Sequence, residues 1–455
     1  MRKISAILLI FAGVVIGVLG SSPVFFAAAF YVNSPVLLVL IATAFAVLMT
    51  AVMAWVGFRV ARAGRPAAKG LALAASVGAV CLVAAYFVLL RPPGHPAPMP
   101  PPGPEVQHWQ LPTGSRIAYV KSPAVGKPRP TPVIMIHGGP GGPMLPFCLT
   151  LGGHAPLETL PALGYDVYYY DQLGCGYSSR LDLRREVPYT VARVVDDLEA
   201  IRAAIGAEKV ILVGWSWGAF FAARYMLEYP DRVEKAVFEA PAPLVAGRQG
   251  DFVPGAPLSP ADSARYAQAM RPTFRIDVGR QLANMNSRAA FYLVPDWEVD
   301  QWLEKQYAEM LRLHQIWGSC DEAREAALAS ALGVTGGSGV GFFLQTHLVE
   351  DAGKLEDARP RLRENRTPTL VLHPQCDILT WASALEYRTT LPNSRLVPIA
   401  GAGHMIWYDQ PQVHAGVIEA FLSDAPLPIE DYAKETPPFS TSSNRTRVPA
   451  TRSPS

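Results

Sequence analysis

The first 104 residues contain no aspartate and no glutamate. Without acids such a stretch cannot form the mixed-charge surface of a soluble domain, and its seven basic residues, Arg2, Lys3, Arg59, Arg62, Arg65, Lys69 and Arg91, stand at the edges of long apolar runs. Removing those seven from the 40 basic residues of the chain leaves 33 against 38 acidic ones, a net of −5 for the remainder. That balance argues against a nucleic-acid partner, because the positive excess belongs to the flanks of apolar segments. Charged residues make up only 17% of the chain and hydrophobic ones 50%, which excludes an intrinsically disordered protein.

Other absences narrow the chemistry. The five cysteines, Cys81, Cys148, Cys175, Cys320 and Cys376, are scattered, odd in number and never spaced CxxC, so neither a zinc ribbon nor a redox pair is indicated. A disulfide framework is not expected: Cys81 reads as an apolar residue at lipid level and the others as small buried thiols. No HExxH is present and no His or Cys cluster, which removes the case for a metal. No G-K-[ST] follows a glycine loop and no G-x-G-x-x-G occurs, which removes phosphate and dinucleotide cradles.

Present instead are three uncharged runs at the N-terminus: Ile4 to Val32, 29 residues; Val36 to Phe58, 23; and Leu71 to Leu90, 20. About 20 apolar residues span a bilayer, so residues 1–91 read as a membrane anchor of three transmembrane helices, turned at Asn33, Ser34 and Pro35, with Pro23 a place for the first to kink or end. A cleaved signal peptide has an apolar region of only about 7 to 15 residues and does not fit. Arg59, Arg62, Arg65 and Lys69 lie between the second and third runs, and the first connection has no Lys or Arg. The positive-inside rule then puts the N-terminus in the cytoplasm and everything after Arg91 outside, with the lipid bilayer as a partner. Residues 92–104, PPGHPAPMPPPGP, hold eight prolines in thirteen and predict an extended linker of up to about 40 Å. After Asp424 the composition turns to Ser, Thr, Pro and Arg, and residues 425–455 are expected to be a disordered tail.

Between these ends, residues 105–424 alternate β-branched or aromatic runs (VIMIHGG, DVYYYDQ, VILVGWS, AVFEAP, TLVLHP, RLVPIAG) with helical patterns, the signature of a mostly parallel sheet with helices on both faces. HWQLP and RIAYVKS, joined around Thr113 and Gly114, predict an antiparallel hairpin at the sheet edge. From about residue 242 to 365 the strand pattern gives way to helical segments rich in Trp, Tyr, Met and Leu, which reads as a helical cap insertion.

Gly214, Trp215, Ser216, Trp217 and Gly218 form G-x-S-x-G directly after the strand VILV and directly before the helical AFFAARYMLEY. In that setting the motif makes a sharp turn that presents a serine hydroxyl at the sheet's edge, so Ser216 is the candidate nucleophile. A serine needs a base and the base an orienting carboxylate. Asp377 follows TLVLHP and His404 follows RLVPIA, giving the chain order Ser, Asp, His and placing all three at strand ends. His373, His347 and His414 compete for the base role, and Asp351 and Asp409 for the acid. The loop His137 to Gly142 ends another strand, where Gly138 or Gly139 can offer a backbone N–H to an oxyanion and Trp217 a second. Asp171, in YDQLGCGYSS, reads as shaping a loop rather than carrying chemistry.

HGGPGG, DQLGCGYS, GWSWGA, the Asp377 strand end and GAGHM, in this order, resemble the proline iminopeptidase branch of the α/β-hydrolases over about residues 105–424. The resemblance implies an α/β-hydrolase fold, a triad of Ser216, Asp377 and His404, no cofactor, and release of N-terminal residues from short peptides through an acyl-enzyme. Two departures stand out. Trp215 replaces the glycine that family peptidases carry, and the neutral Gln345 falls where an acidic residue binds the substrate amine, with Glu298, Glu304 or Glu350 as alternatives. An esterase or amidase acting on small apolar substrates is therefore a second expectation, and a catalytically inactive, membrane-tethered binding module a third.

Overall fold

A computed structural model describes residues 2–439 except 92, 93, 95–98, 100, 149–154, 247–251, 253–257, 314, 316, 317, 335–338 and 433. The chain divides into two compact units. One comprises residues 1–96, 182–187 and 272–299; the other comprises residues 97–181, 188–271 and 300–455.

The first unit is built on α1 (Arg2–Ala29), α2 (Pro35–Val60) and α3 (Pro66–Ala85), the last continued by a π-turn, Tyr86–Leu90. All three are long and apolar enough to cross a membrane. Pro23 lies inside α1 without ending it. Ser34 caps α2, its hydroxyl accepting the amide of Leu37, and Pro35 follows at the first turn, where a missing N–H costs nothing. The helices meet through small residues. A Cβ on Gly17 would lie 2.7 Å from the Ala46 carbonyl oxygen, so α1 and α2 approach at backbone distance there.

The same unit takes in α7 (Phe274–Ala283) and α8 (Ser287–Leu293) from far along the chain. Asn286 does two jobs: its side-chain oxygen caps α8 at Ala289, and its amide group donates to the Ala29 carbonyl at 2.8 Å and to Asn33 at 2.9 Å. Arg275 pairs with Glu298 at 3.0 Å and donates to the carbonyls of Leu89 and Arg91, satisfying groups that the end of the third long helix leaves open. Phe274 and Val278 border a cavity of about 370 Å³ that also reaches all three long helices.

The second unit holds an eight-stranded sheet in the order β1-β2-β4-β3-β5-β6-β7-β8. Its strands are β1 (Gln107–Gln110), β2 (Arg116–Ser122), β3 (Val133–Ile136), β4 (Val167–Tyr170), β5 (Val210–Trp215), β6 (Val233–Glu239), β7 (Thr369–Cys376) and β8 (Ser394–Gly403). The expected hairpin is β1 and β2, with Gln110 opposite Arg116; β2 joins β4 antiparallel, and all later pairs are parallel. Central strands β3 and β4 are buried at every position, as a sheet covered on both faces requires. α4 (Val191–Ile205) starts at the capping hydroxyl of Thr190 and stops at Gly206, whose φ of 77° only glycine adopts freely.

Between β6 and β7 the insertion is helical: α6 (Pro260–Met270), then α7, α8, α9 (Asp296–Arg312), α10 (Glu322–Val334), α11 (Phe342–Ala352) and α12 (Arg359–Leu362). Beyond β7 come α13 (Trp381–Thr390), α14 (Ile406–Asp409) and α15 (Pro411–Leu422).

Two expectations need correction. Residues 425–439 do not behave as a disordered tail up to Phe439. Leu427 and Ile429 pack on the core, the Tyr432 amide donates to the Leu396 carbonyl, and Asp431 accepts the Leu396 amide while pairing with Arg388. β8 is an edge strand with open backbone groups, and these residues cover them. Residues 440–455 and most of the proline-rich linker lie outside the described residues. The second correction is that Cys320 and Cys376 form a disulfide, 56 residues apart in sequence. Their spacing carries no sign of it because tertiary packing alone brings Gly318–Cys320 onto the end of β7. Cys175 is buried and free, as expected.

Candidate active site

β5 runs into α5 (Trp217–Glu228) through a turn with no room to spare. Ser216 sits at φ 57° and ψ −119°, a conformation costly for any residue with a Cβ, and its amide donates to the Glu239 carbonyl at 2.9 Å. Gly218 is required because a Cβ there would overlap the Ile136 carbonyl oxygen. A Cβ on Gly138 would come 2.5 Å from the Ser216 Cβ, so the glycine loop passes directly over the serine.

His404 donates Nδ1–H to Asp377 Oδ1 at 2.6 Å, with both residues buried, and Asp377 Oδ1 also accepts the Leu379 amide. This leaves Nε2 as the second functional nitrogen of His404. The Trp215 indole N–H donates to the His404 carbonyl at 2.8 Å, and its ring packs against the His404 imidazole and Trp407. The tryptophan that departs from the family's glycine thus ties the serine turn to the histidine loop, a role invisible in the sequence because the two are 189 residues apart.

The glycine loop is held from beneath. Burial drives the His137 pKa down to about 4, so the ring is neutral; its Nδ1–H donates to the Gly138 carbonyl while Nε2 accepts the Gln172 amide. The Gly138 carbonyl also accepts the Gly142 amide. With that oxygen engaged on one side of the peptide plane, the Gly139 N–H points to the other. Trp217 opens α5, where backbone N–H groups lack intrahelical acceptors and the helix dipole favours negative charge. Asp171 shapes the loop as expected, accepting the amides of Met144, Leu145 and Tyr177; burial lifts its pKa to about 6 against those hydrogen bonds.

The competing residues make other contacts, except that His373 stays beside Asp377. His414 pairs with Glu239 at 2.8 Å, His373 Nδ1 is 3.9 Å from Asp377 Oδ2, and His347 packs between Tyr189 and Phe343 with its pKa lowered by burial to about 4. Asp351 accepts the Val191 amide, and Asp409 the amides of Cys320 and Gly403. Gln345 lies beside the glycine loop, donating to the Tyr307 hydroxyl at 2.7 Å and to the Gly139 carbonyl at 3.4 Å. Of the acids considered for an amine, Glu298 pairs with Arg275, Glu350 with the Lys354 ammonium, and Glu304 accepts the Gly339 amide. Among the described residues no three His, Cys, Asp or Glu side chains gather as a metal site would need.

A family profile described as α/β hydrolase fold matches residues 131–411. Proline iminopeptidase of Heyndrickxia coagulans is 27% identical over 320 residues, covering 68% of this chain and 96% of its own length. That of Lactobacillus delbrueckii subsp. bulgaricus is 25% identical over 309 residues, 66% of this chain and 92% of its own. Among solved structures, an esterase from Rhodococcus sp. ECU1013 covers 71% of this chain and 100% of its own at 18% identity and a TM-score of 0.47.

Proposed function

Since the chain belongs to the α/β-hydrolase family, in its proline iminopeptidase-like branch, we propose that it is a membrane-anchored serine hydrolase whose triad is Ser216, His404 and Asp377. The observation that carries this reading is the buried 2.6 Å hydrogen bond from His404 to Asp377 in a fold whose strained serine turn lies under a glycine loop.

The mechanism follows from those atoms. Ser216 Oγ attacks the substrate carbonyl as His404 Nε2 takes its proton, and Asp377 holds the ring in the required tautomer and stabilises the imidazolium. Negative charge gathers on the carbonyl oxygen, where the amides of Gly139 and Trp217 receive it; each such donor is worth roughly 10²–10³ in turnover. His404 returns the proton to the leaving group, and water then releases the acyl group by the same path.

Short peptides with a free N-terminus are the first substrate class, supported by relatives matched over nearly their whole length. Small esters or amides are the second, and Gln345 favours them: bound to Tyr307 at the glycine loop, it gives a neutral contact where a free amine would profit from a carboxylate. In this reading the three long helices span a membrane and the hydrolase unit lies on its extracytoplasmic face. The basic residues between α2 and α3 support that orientation, and so does the Cys320–Cys376 disulfide, a bond that persists in oxidising compartments.

A fluorophosphonate probe tests the reading, because it labels activated serines whatever their substrate. Labelling of the wild type and not of Ser216→Ala is the expected outcome; an unlabelled wild type of intact fold would leave the binding module as the better account. A panel of aminoacyl amides against uncharged esters then separates the two substrate classes.

A further inference from the structure

One part of the insertion is stitched to the acid and base of the site by more bonds than packing requires. Cys320 is covalently joined to Cys376, the residue immediately before Asp377. The Met405 amide, next to His404 on its other side, donates to the Gly318 carbonyl at 3.1 Å. Gly403, just before His404, lies so close that a Cβ on it would be 2.6 Å from the Ser319 backbone.

Asp409 binds both partners at once. Its Oδ2 accepts the Gly403 amide at 2.7 Å and the Cys320 amide at 2.9 Å, and its Oδ1 accepts the Ser319 hydroxyl at 2.5 Å. From the other side Glu325 accepts the amides of Gly318 and Ser319, and Arg324 donates to the carbonyls of Tyr408 and Asp409. Asp409 and Glu325 are both buried, so these bonds are made away from water and are strong.

We propose that Gly318–Cys320 is a clasp that positions Asp377 against His404, with the Cys320–Cys376 disulfide and Asp409 as its two fastenings. The inference rests on the serine-hydrolase reading above, and assigns to it positioning residues that do not touch substrate. Asp377 and His404 stand on separate loops at the ends of β7 and β8, and their hydrogen bond is productive only if both loops keep one geometry. The disulfide immobilises the acid's end, Asp409 the base's end, and the same three cap residues connect the two. Opening the disulfide with a dithiol moves two electrons and two protons to Cys320 and Cys376, giving two thiols and a cyclic disulfide of the reagent. The covalent fastening is then lost while every hydrogen bond can still form.

The test uses the full chain in lipid nanodiscs, oxidised, reduced with dithiothreitol, and as the Cys320→Ser/Cys376→Ser variant, with Asp409→Asn as a second variant that leaves the disulfide intact. Three quantities are read: the rate of fluorophosphonate labelling, kcat and KM on an uncharged ester, and thermal unfolding. The expected result is labelling slowed roughly 10- to 100-fold on reduction, the scale for about 1 Å of misplacement, with kcat falling more than KM changes and full recovery on reoxidation. The double variant behaves like the reduced wild type and ignores dithiothreitol.

Labelling unchanged after both thiols are shown to be free overturns the proposal. So does a loss of rate that only tracks the fraction unfolded, with kcat and KM of the folded fraction unchanged, since that is a stability effect. Failure of the oxidised wild type to label at all would overturn the hydrolase reading itself, an outcome distinct from labelling that ignores the disulfide.

Discussion

The two units of this chain answer to opposite rules of burial. In the hydrolase unit large apolar residues are inside: Leu212, Val213, Phe238 and Leu372 are fully buried. In the unit of long helices many large residues face outward, Leu19 at 70% exposure and Val80 at 68%, while Ala29, Ala46, Ala54 and Ala74 fill contacts beside a few larger residues such as Leu38. Hydrocarbon gives no reward for hiding leucine, so close backbone packing holds such helices together. That is the pattern expected of helices that cross a membrane, and all three are long and apolar enough to do so.

The sharpest break between them is catalytic. Ser216→Ala should reduce hydrolysis by roughly 10⁴-fold or more, measured on any substrate found by the panel, with the unfolding of neither unit displaced. Next come paired substitutions of one residue type. Leu212→Ala should cost about 2–5 kcal/mol in thermal unfolding of the hydrolase unit, as deletions in a close-packed core do. Leu19→Ala in nanodiscs should cost almost nothing, whereas Gly17→Leu, which pushes a side chain into the Ala46 backbone, should split α1 from α2. A large loss from Leu19→Ala would mean that this surface faces protein rather than lipid.

Acidity gives a smaller and signed effect. His137 is held neutral with its pKa lowered to about 4, so the unfolded chain binds the extra proton first and stability falls as pH drops from about 6.5 towards 4. Glu325 has the opposite sign: burial raises its pKa to about 8, the folded chain keeps the proton longer, and its contribution is lost as pH climbs from about 4.5 to about 8. Melting curves across pH should therefore show a decline on both sides, and Glu325→Gln should flatten the alkaline one. A curve unaltered by that change would place the titration elsewhere. Smallest is Trp215→Phe, which deletes one hydrogen bond to the His404 carbonyl and keeps the ring; a loss of about 1 kcal/mol, roughly fivefold in kcat/KM, is expected.

What the sequence made legible was local. Each of the parallel strands shows as an apolar run, and G-x-S-x-G announces its turn because the glycines and the serine are adjacent. Asp377 and His404 could be singled out from their places after strands, and the structure brings them together. What stayed hidden is made by distant pieces meeting. Cys320 looked like a solitary thiol, Asp409 like a spare acid and Trp215 like a departure from a motif, and each acquires its role only from a partner dozens to hundreds of residues away. Residues 425–439 were judged by composition, which says nothing of an open strand edge waiting to be covered.

The bonds from Asn286 to Ala29 and from Arg275 to Leu89 join residues 257 and 186 positions apart. During synthesis the three long helices therefore leave the ribosome well before the segment that completes their unit, and most of the β-sheet is made in between. The unit of long helices is chronologically both the first and one of the last things this protein finishes, so removing residues 1–104 would leave α7 and α8 without the surface they were made to meet.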